Sequence, residues 1–255
     1  MSSETLLYDD GAHKCIMFAL EDEEHQEYSL SVNQYLIIQN ESAILIDPGC
    51  GAIFDELYDA ISRHIDPSKI KYIFFSHQDP DVAGSISQWS IATTAQLVMS
   101  QLWVRFMGHY GLMDIGRIVA LSDHGARIKF ANNFLQFIPA HFLHSPGNFS
   151  LYDSRSKILF SGDIGAAIAS PQNLNKDVND FAEHRPYLEG FHSRYMAGNR
   201  FCRAWVKCVR AYDISTIAPQ HGSLFRGETV IKFLDWFEVL KGGWEQCEDL
   251  YGVIK

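Results

Sequence analysis

The chain has 255 residues, 47% of them hydrophobic and 20% charged, an ordinary globular composition in a length that can bury a sizeable core. Thirty-one acidic residues against 21 basic ones give a formal charge of −10, and no basic face stands out that would neutralise nucleic-acid phosphates. Cysteines at 15, 50, 202, 208 and 247 are odd in number and lack a CxxC spacing, which argues against a disulfide framework and fits a reducing compartment. The N-terminus shows no basic flank followed by an apolar run, and no apolar stretch approaches the ~20 residues of a membrane span. A soluble, cytoplasmic protein is expected, with neither nucleic acid nor membrane as partner.

The acidic run Glu21–Glu24 reads as a solvated loop. Gln34–Gln39 and Ala43–Ile46 form a predicted hairpin around Asn40-Glu41, ended by Asp47-Pro48-Gly49. Apolar residues at 53, 54, 57, 58 and 61 predict a helix over Ile53–His64, and Lys71–Phe75 is a strand leading into Ser76-His77. Val82–Ser90 starts a second helix with Asp81 as its N-cap, Gln96–Met99 is a strand, and Leu102–Tyr110 is helical. Two further strand pairs follow, Arg127–Phe130 with Phe134–Pro139 and Phe149–Tyr152 with Ile158–Ser161. From about Asp180 the chain is mostly helical, broken by the strand Ile214–Ala218. With no repeat and no linker, residues 1–255 read as one domain. The pattern suits an α/β (α+β) αββα four-layer sandwich, two mixed sheets flanked by helices, which the layer rules permit without singling it out.

In His77-Gln78-Asp79-Pro80-Asp81, three ligand-type residues alternate. Pro80 pushes Asp79 toward an extended backbone, so alternate side chains converge while Gln78 points elsewhere. A polar turn capping a helix is the competing reading. His144, Asp163 and His221 each follow an apolar strand-like run and have Gly or Pro close by. Glycine there lets backbone crowd a ligand. Four strand ends bearing His or Asp make a metal site the better reading.

The order His-x-Asp-x-Asp, a distant His, Ser-Gly-Asp and a final His-Gly resembles the metallo-β-lactamase superfold. It is most similar to the di-iron core of flavodiiron proteins and their flavin-free relatives, the oxygen-binding di-iron proteins. The resemblance runs from about Gln34 to Phe225, with Ile46-Asp47-Pro48-Gly49 and Phe160-Ser161-Gly162-Asp163 as supporting pieces. It implies two iron ions: His77, Asp79 and His144 on one, Asp81 and His221 on the other, and Asp163 as the bridge. The hydrolytic branch usually reads His-x-His-x-Asp-His, whereas this chain has Asp79 and Val82 at the second and last of those positions. Flavodiiron proteins usually carry Glu where Asp79 stands, and often keep the last His.

Ligand chemistry argues for iron independently. Zinc favours nitrogen and sulfur in four-coordinate sites, while three imidazoles and three carboxylates suit iron or manganese. Oxidising both irons adds two positive charges and a bound peroxide dianion removes two, so the formal charge of a buried site stays nearly constant.

Tyr195 matches a tyrosine that approaches the di-iron pocket in the family and could donate a hydrogen bond to bound oxygen; a packed helix tyrosine is the alternative. His141 offers an outer hydrogen-bond partner for the site or none, and the resemblance gives Asp47 a bond to a ligating His. Cys50 is either redox-active or a packed thiol. The histidines at 13, 25, 64, 109, 124, 184 and 192 have no partner motif.

The resemblance thus implies a non-haem di-iron protein that binds O2, as a peroxo adduct. It would serve as an oxygen or iron sensor, or as an oxidoreductase reducing O2 or NO with an external electron donor. About 30 residues follow Phe225, which leaves no room for a flavodoxin domain, so no FMN is expected in this chain. A homodimer and an external redox or signalling protein are the implied partners. The alternative is a dinuclear metal-dependent hydrolase, against which Asp79 weighs.

Overall fold

The computed structural model describes residues 3–20, 32–169 and 176–247. The acidic run Glu21–Glu24 lies outside them. Strands β1 (Ser3–Asp9), β2 (His13–Leu20), β3 (Val32–Gln39) and β4 (Ser42–Ile46) lead to helix α1 (Phe54–Ser62) and strand β5 (Ile70–Phe74). Helices α2 (Pro80–Ala83) and α3 (Ile86–Ala92) precede β6 (Gln96–Ser100) and β7 (Ile118–Leu121). Then come β8 (Ala126–Phe130), β9 (Asn133–Pro139), β10 (Phe149–Asp153) and β11 (Ile158–Gly162). Helices α4 (Phe181–Tyr195) and α5 (Asn199–Val209), strands β12 (Thr216–Pro219) and β13 (Phe225–Arg226), and helices α6 (Glu228–Val239) and α7 (Trp244–Cys247) complete the order.

One sheet runs β1-β2-β3-β4-β5-β6-β7, and the other β13-β12-β11-β10-β9-β8. Both are mixed. In the first, pairing is antiparallel up to β4 and parallel from β4 to β7. In the second, β11 and β12 are the parallel pair. Alternation along β3 shows how the layers form. Tyr35 and Ile37 point between the sheets with Phe74, Phe137 and Phe160. Leu36 and Ile38 point outward to Leu57, Ile61 and Trp89 beneath α1 and α3. The outer face of the second sheet packs Leu159 and Ile217 against Trp205, Phe233 and Phe237 of α5 and α6. Three apolar layers between four structural ones are the αββα sandwich expected from the sequence.

Two expected helices differ. The segment expected to run from Val82 to Ser90 is broken after Ala83, because Ser85 donates both its N–H and its hydroxyl to the Gly49 carbonyl. The loop carrying Asp47-Pro48-Gly49 therefore crosses the break. Leu102–Tyr110 contains a 3-10 helix, Val104–Tyr110, rather than an α-helix. Strands β1, β2 and β7 were not foreseen.

Candidate metal centre

Strand β5 delivers His77. Just after the strand, the Ser76 N–H donates to Asp47 Oδ1 at 2.7 Å, and the Ser76 hydroxyl lies 2.9 Å from His77 Nδ1. Asp47 thus holds the turn that carries His77 and acts through Ser76, rather than bonding the imidazole as the resemblance implied. Its full burial pushes its carboxyl up to about 7. With Nδ1 engaged, His77 has Nε2 left for the site, and that buried atom has no hydrogen-bond partner.

Asp79 is extended (φ −64°, ψ 152°) and occupies the N-cap position of α2, with Pro80 at the first turn. Asp81 therefore lies inside the helix and is not its cap, a correction to the sequence reading. The Asp79 carboxylate makes no capping bond either. Its Oδ2 accepts from His144 Nε2 at 2.9 Å, and Asp81 Oδ2 lies 3.1 Å from His221 Nε2.

His144 stands in the loop after β9 with a left-handed backbone (φ 68°), as does Phe142 (φ 64°). For residues other than glycine this conformation costs of order 1–3 kcal/mol and persists only where surroundings enforce it. Here the Asn148 side chain donates to the Leu143 carbonyl, and Ala197 N–H donates to the Phe142 carbonyl. Asp163 follows β11 through Gly162 (φ 59°), where a Cβ would lie 3.0 Å from the Ser76 hydroxyl that holds His77. His221 follows β12. Its loop is fixed by Asn33, whose side chain donates to the carbonyls of Pro219 and Gly222, and by the Tyr35 hydroxyl, which donates to Pro219 at 2.5 Å.

The six side chains converge around Asp163, which is 4% exposed. Its Oδ2 lies 3.4 Å from His144 Nε2 and 3.8 Å from His77 Nε2, while its Oδ1 lies 3.7 Å from His221 Nε2. Each carboxylate oxygen thus faces a different group, and Oδ1 is buried without a hydrogen bond. Ligand atoms of His77, His144 and Asp163 all lie within 4.8 Å of one another. Orphaned imidazole and carboxylate atoms aimed at one point are costly unless something cationic sits between them, so the donor set fits metal ions. Charges follow the same layout. Burial favours neutral His77, lowering its pKa against the pull of Asp163 and Asp79. Burial also lowers His144, but the bond to Asp79 and the nearby carboxylates outweigh it and raise the group. The Asp79 and Asp81 carboxyls are penalised by burial yet held below the ordinary range by their His144 and His221 partners.

Other expected residues fall into place or out of it. The Tyr195 ring lies 5.4 Å from that of His144, stacks on Phe191 at 4.8 Å, and is half exposed at the rim. His141 turns away, contacting the carbonyls of Pro146 and Asp123. Cys50 packs against the apolar layer under α1 and α3, as does Val82, which is wholly buried in that layer rather than edging the site. Gln78 does not point elsewhere: its amide nitrogen donates to Asp79 Oδ1 at 2.8 Å.

A second His/Cys/Asp group was not foreseen. His13 Nε2 lies 2.7 Å from Asp153 Oδ2, with Cys15 Sγ 3.7 Å from that nitrogen, and all three residues are fully buried. Asp153 also accepts from the Asn133 side chain and from the N–H and hydroxyl of Ser156. A carboxylate so saturated with donors has little capacity left for a cation. The group is a polar staple joining β2 to β10, and His13 and Asp153 lie 140 positions apart, beyond any motif.

Residues 30–222 match the ODP family beta lactamase description, and the chain belongs to that family. Two solved structures are similar to it over nearly their whole length. The apo state of the chemotaxis sensor ODP from T. denticola is 43% identical with a TM-score of 0.87, covering 98% of this chain and 100% of that one. The structure described as a peroxy diiron species of chemotaxis sensor ODP has the same identity and TM-score, covering 97% and 99%. The flavo-diiron protein FprA2 of Clostridium acetobutylicum is 24% identical over 208 residues, 80% of this chain and 52% of that protein. The chain spans about half the length of the first curated relatives it matches.

Proposed function

We propose that this chain binds two iron ions and responds to O2 as a sensor. His77, Asp79 and His144 would hold one ion, Asp81 and His221 the other, and Asp163 would bridge them. The observation that carries this reading is Asp163, whose two oxygens face separate histidine groups. Iron, when bound, supplies O2 binding and a reversible redox change that zinc lacks. The protein's own residues do the rest. Ser76 fixes the His77 ring, Asn33 and Tyr35 fix the His221 loop, and Phe191 with Tyr195 covers the His144 ring. The Tyr195 hydroxyl would donate a hydrogen bond to a small oxygen ligand.

The sensor role is favoured over an O2 or NO reductase by the 43% identity to a chemotaxis sensor across both whole chains. A signalling partner, a homodimer and a single domain belong to this same reading. No helix among the described residues is long and apolar enough to cross a membrane, and the described cysteines are free, in keeping with a reducing, cytoplasmic setting.

The test is to purify the protein without added metal, measure iron and zinc, reduce it anaerobically, and admit O2. Two irons per chain with an O2-dependent visible band that persists without turnover supports the sensor. Rapid O2 or NO consumption with an added reductant points to the reductase. A zinc-only protein with no such band would indicate the hydrolase chemistry and overturn the proposal.

A further inference from the structure

Hydrogen bonds at both oxygens fix where the Asp79 carboxylate points. Gln78 supplies one of them and is itself held by two others. The amide nitrogen donates to Asp79 Oδ1 at 2.8 Å. An ionised carboxylate only accepts, so the nitrogen must face Asp79 and the amide oxygen must face the other way. There it accepts from the Ser145 hydroxyl at 2.7 Å. The Gln78 backbone carbonyl accepts from the Tyr110 hydroxyl at 2.5 Å, which holds the residue in place. Gln78 thus links the loop of His77 to the loop of His144, while Asp79 Oδ2 is left facing His144 Nε2 at 2.9 Å and His77 Nε2 at 3.8 Å.

We infer that Gln78 is a positioning residue that makes Asp79 a one-oxygen metal ligand, with Oδ1 held in the Gln78–Ser145 clamp and Oδ2 left for the ion. The inference rests on the di-iron reading. It deepens that reading, because the hydrogen bond at Oδ1 disfavours that oxygen as a second ligand atom and leaves Oδ2 as the favoured one. Asp79 would then take up one coordination position of the ion held with His77 and His144 rather than two. It also accounts for Gln at 78: Glu there would place a second carboxylate against Asp79 and could not donate.

The test is an anaerobic titration of the metal-free full-length protein with ferrous iron, read against a chromophoric chelator, alongside thermal melting of the metal-free forms. The variants are Gln78→Ala, Gln78→Glu and Ser145→Ala. The wild type should bind two ions. Gln78→Ala should weaken one of them by about 10- to 100-fold and spare the other, the usual range for partners that orient a ligand. Gln78→Glu, nearly the same shape, should weaken that ion further, and Ser145→Ala less. Metal-free melting should fall only slightly in Gln78→Ala and Ser145→Ala, the loss of a hydrogen bond or two, and more in Gln78→Glu, where two carboxylates meet. Wild-type affinity for both ions in Gln78→Ala or Gln78→Glu would overturn the clamp. So would loss of both ions together with a large drop in metal-free melting in Gln78→Ala, which would make Gln78 merely structural. A wild type that binds no ferrous iron would instead sink the di-iron reading, and the clamp with it.

Discussion

Replacing Asp163 with Asn tests the bridge while keeping its shape. In the metal-free protein the substitution should be mild, because Oδ1 accepts no hydrogen bond and Oδ2 stands 3.4 and 3.8 Å from its nearest imidazole nitrogens. With metal present the effect should be large. Unit charges about 4 Å apart interact by about 4 kcal/mol at an effective dielectric of 20, and one carboxylate facing two dications makes four such unit pairs. Desolvation offsets most of this gross sum. A remainder of about 2.8 kcal/mol would still weaken binding about 100-fold. Asp163→Asn should therefore fall from two ions to one or none at micromolar ferrous iron, measured by metal analysis after desalting, with little change in metal-free melting. Two tightly held ions in this variant would refute the bridging role.

Three further outcomes follow from the scaffold. Asp153→Ala breaks the buried pair with His13 and should cost about 3–5 kcal/mol, lowering the melting temperature by roughly 10 °C. Burial opposes ionisation of Asp153, but the bonds from His13 and Ser156 prevail and hold its carboxyl below the ordinary value. Its contribution should thus be fully present above about pH 4 and disappear as pH falls through the lowered folded value; an acid-melting profile identical in the wild type and the variant would contradict this. Gly222→Ala puts a Cβ 2.7 Å from the Ala167 Cβ at φ +82°, so it should displace His221 and release the ion held with Asp81 while retaining the other. Val82→His, which restores the last letter of the hydrolytic motif, should destabilise by about 1–3 kcal/mol because Val82 is sealed in the apolar layer. An unchanged melting temperature would show that the layer yields there.

The six candidate residues stood out in the sequence because His and Asp follow four apolar strand-like runs, and Pro80 enforces an extended Asp79. Their supports were not. Gln78 alternates with the ligands, so simple extended geometry sends it away; its long amide instead curls back to Asp79, a bond that depends on Ser145 arriving from 67 positions on. Asp81 looked like a cap because it precedes an apolar run, but proline's preference for the first helical turn moves the start of the helix to Pro80. The break at Ser85 is set by the carbonyl of Gly49, which periodicity within the helix cannot register. Strand β2 escaped notice because both of its faces are buried, so its pattern does not alternate between apolar and polar. Of the two residues that steady the His221 loop, Tyr35 read simply as a strand residue and Asn33 lay just before the predicted strand.

The most direct measurement is anomalous diffraction across the iron edge from crystals reconstituted anaerobically with ferrous iron. Two iron peaks, one on each side of the Asp163 carboxylate, are the expected result, with His77, Asp79 and His144 around the first and Asp81 and His221 around the second. A single peak, or density that scatters at the zinc edge and not at the iron edge, would contradict it.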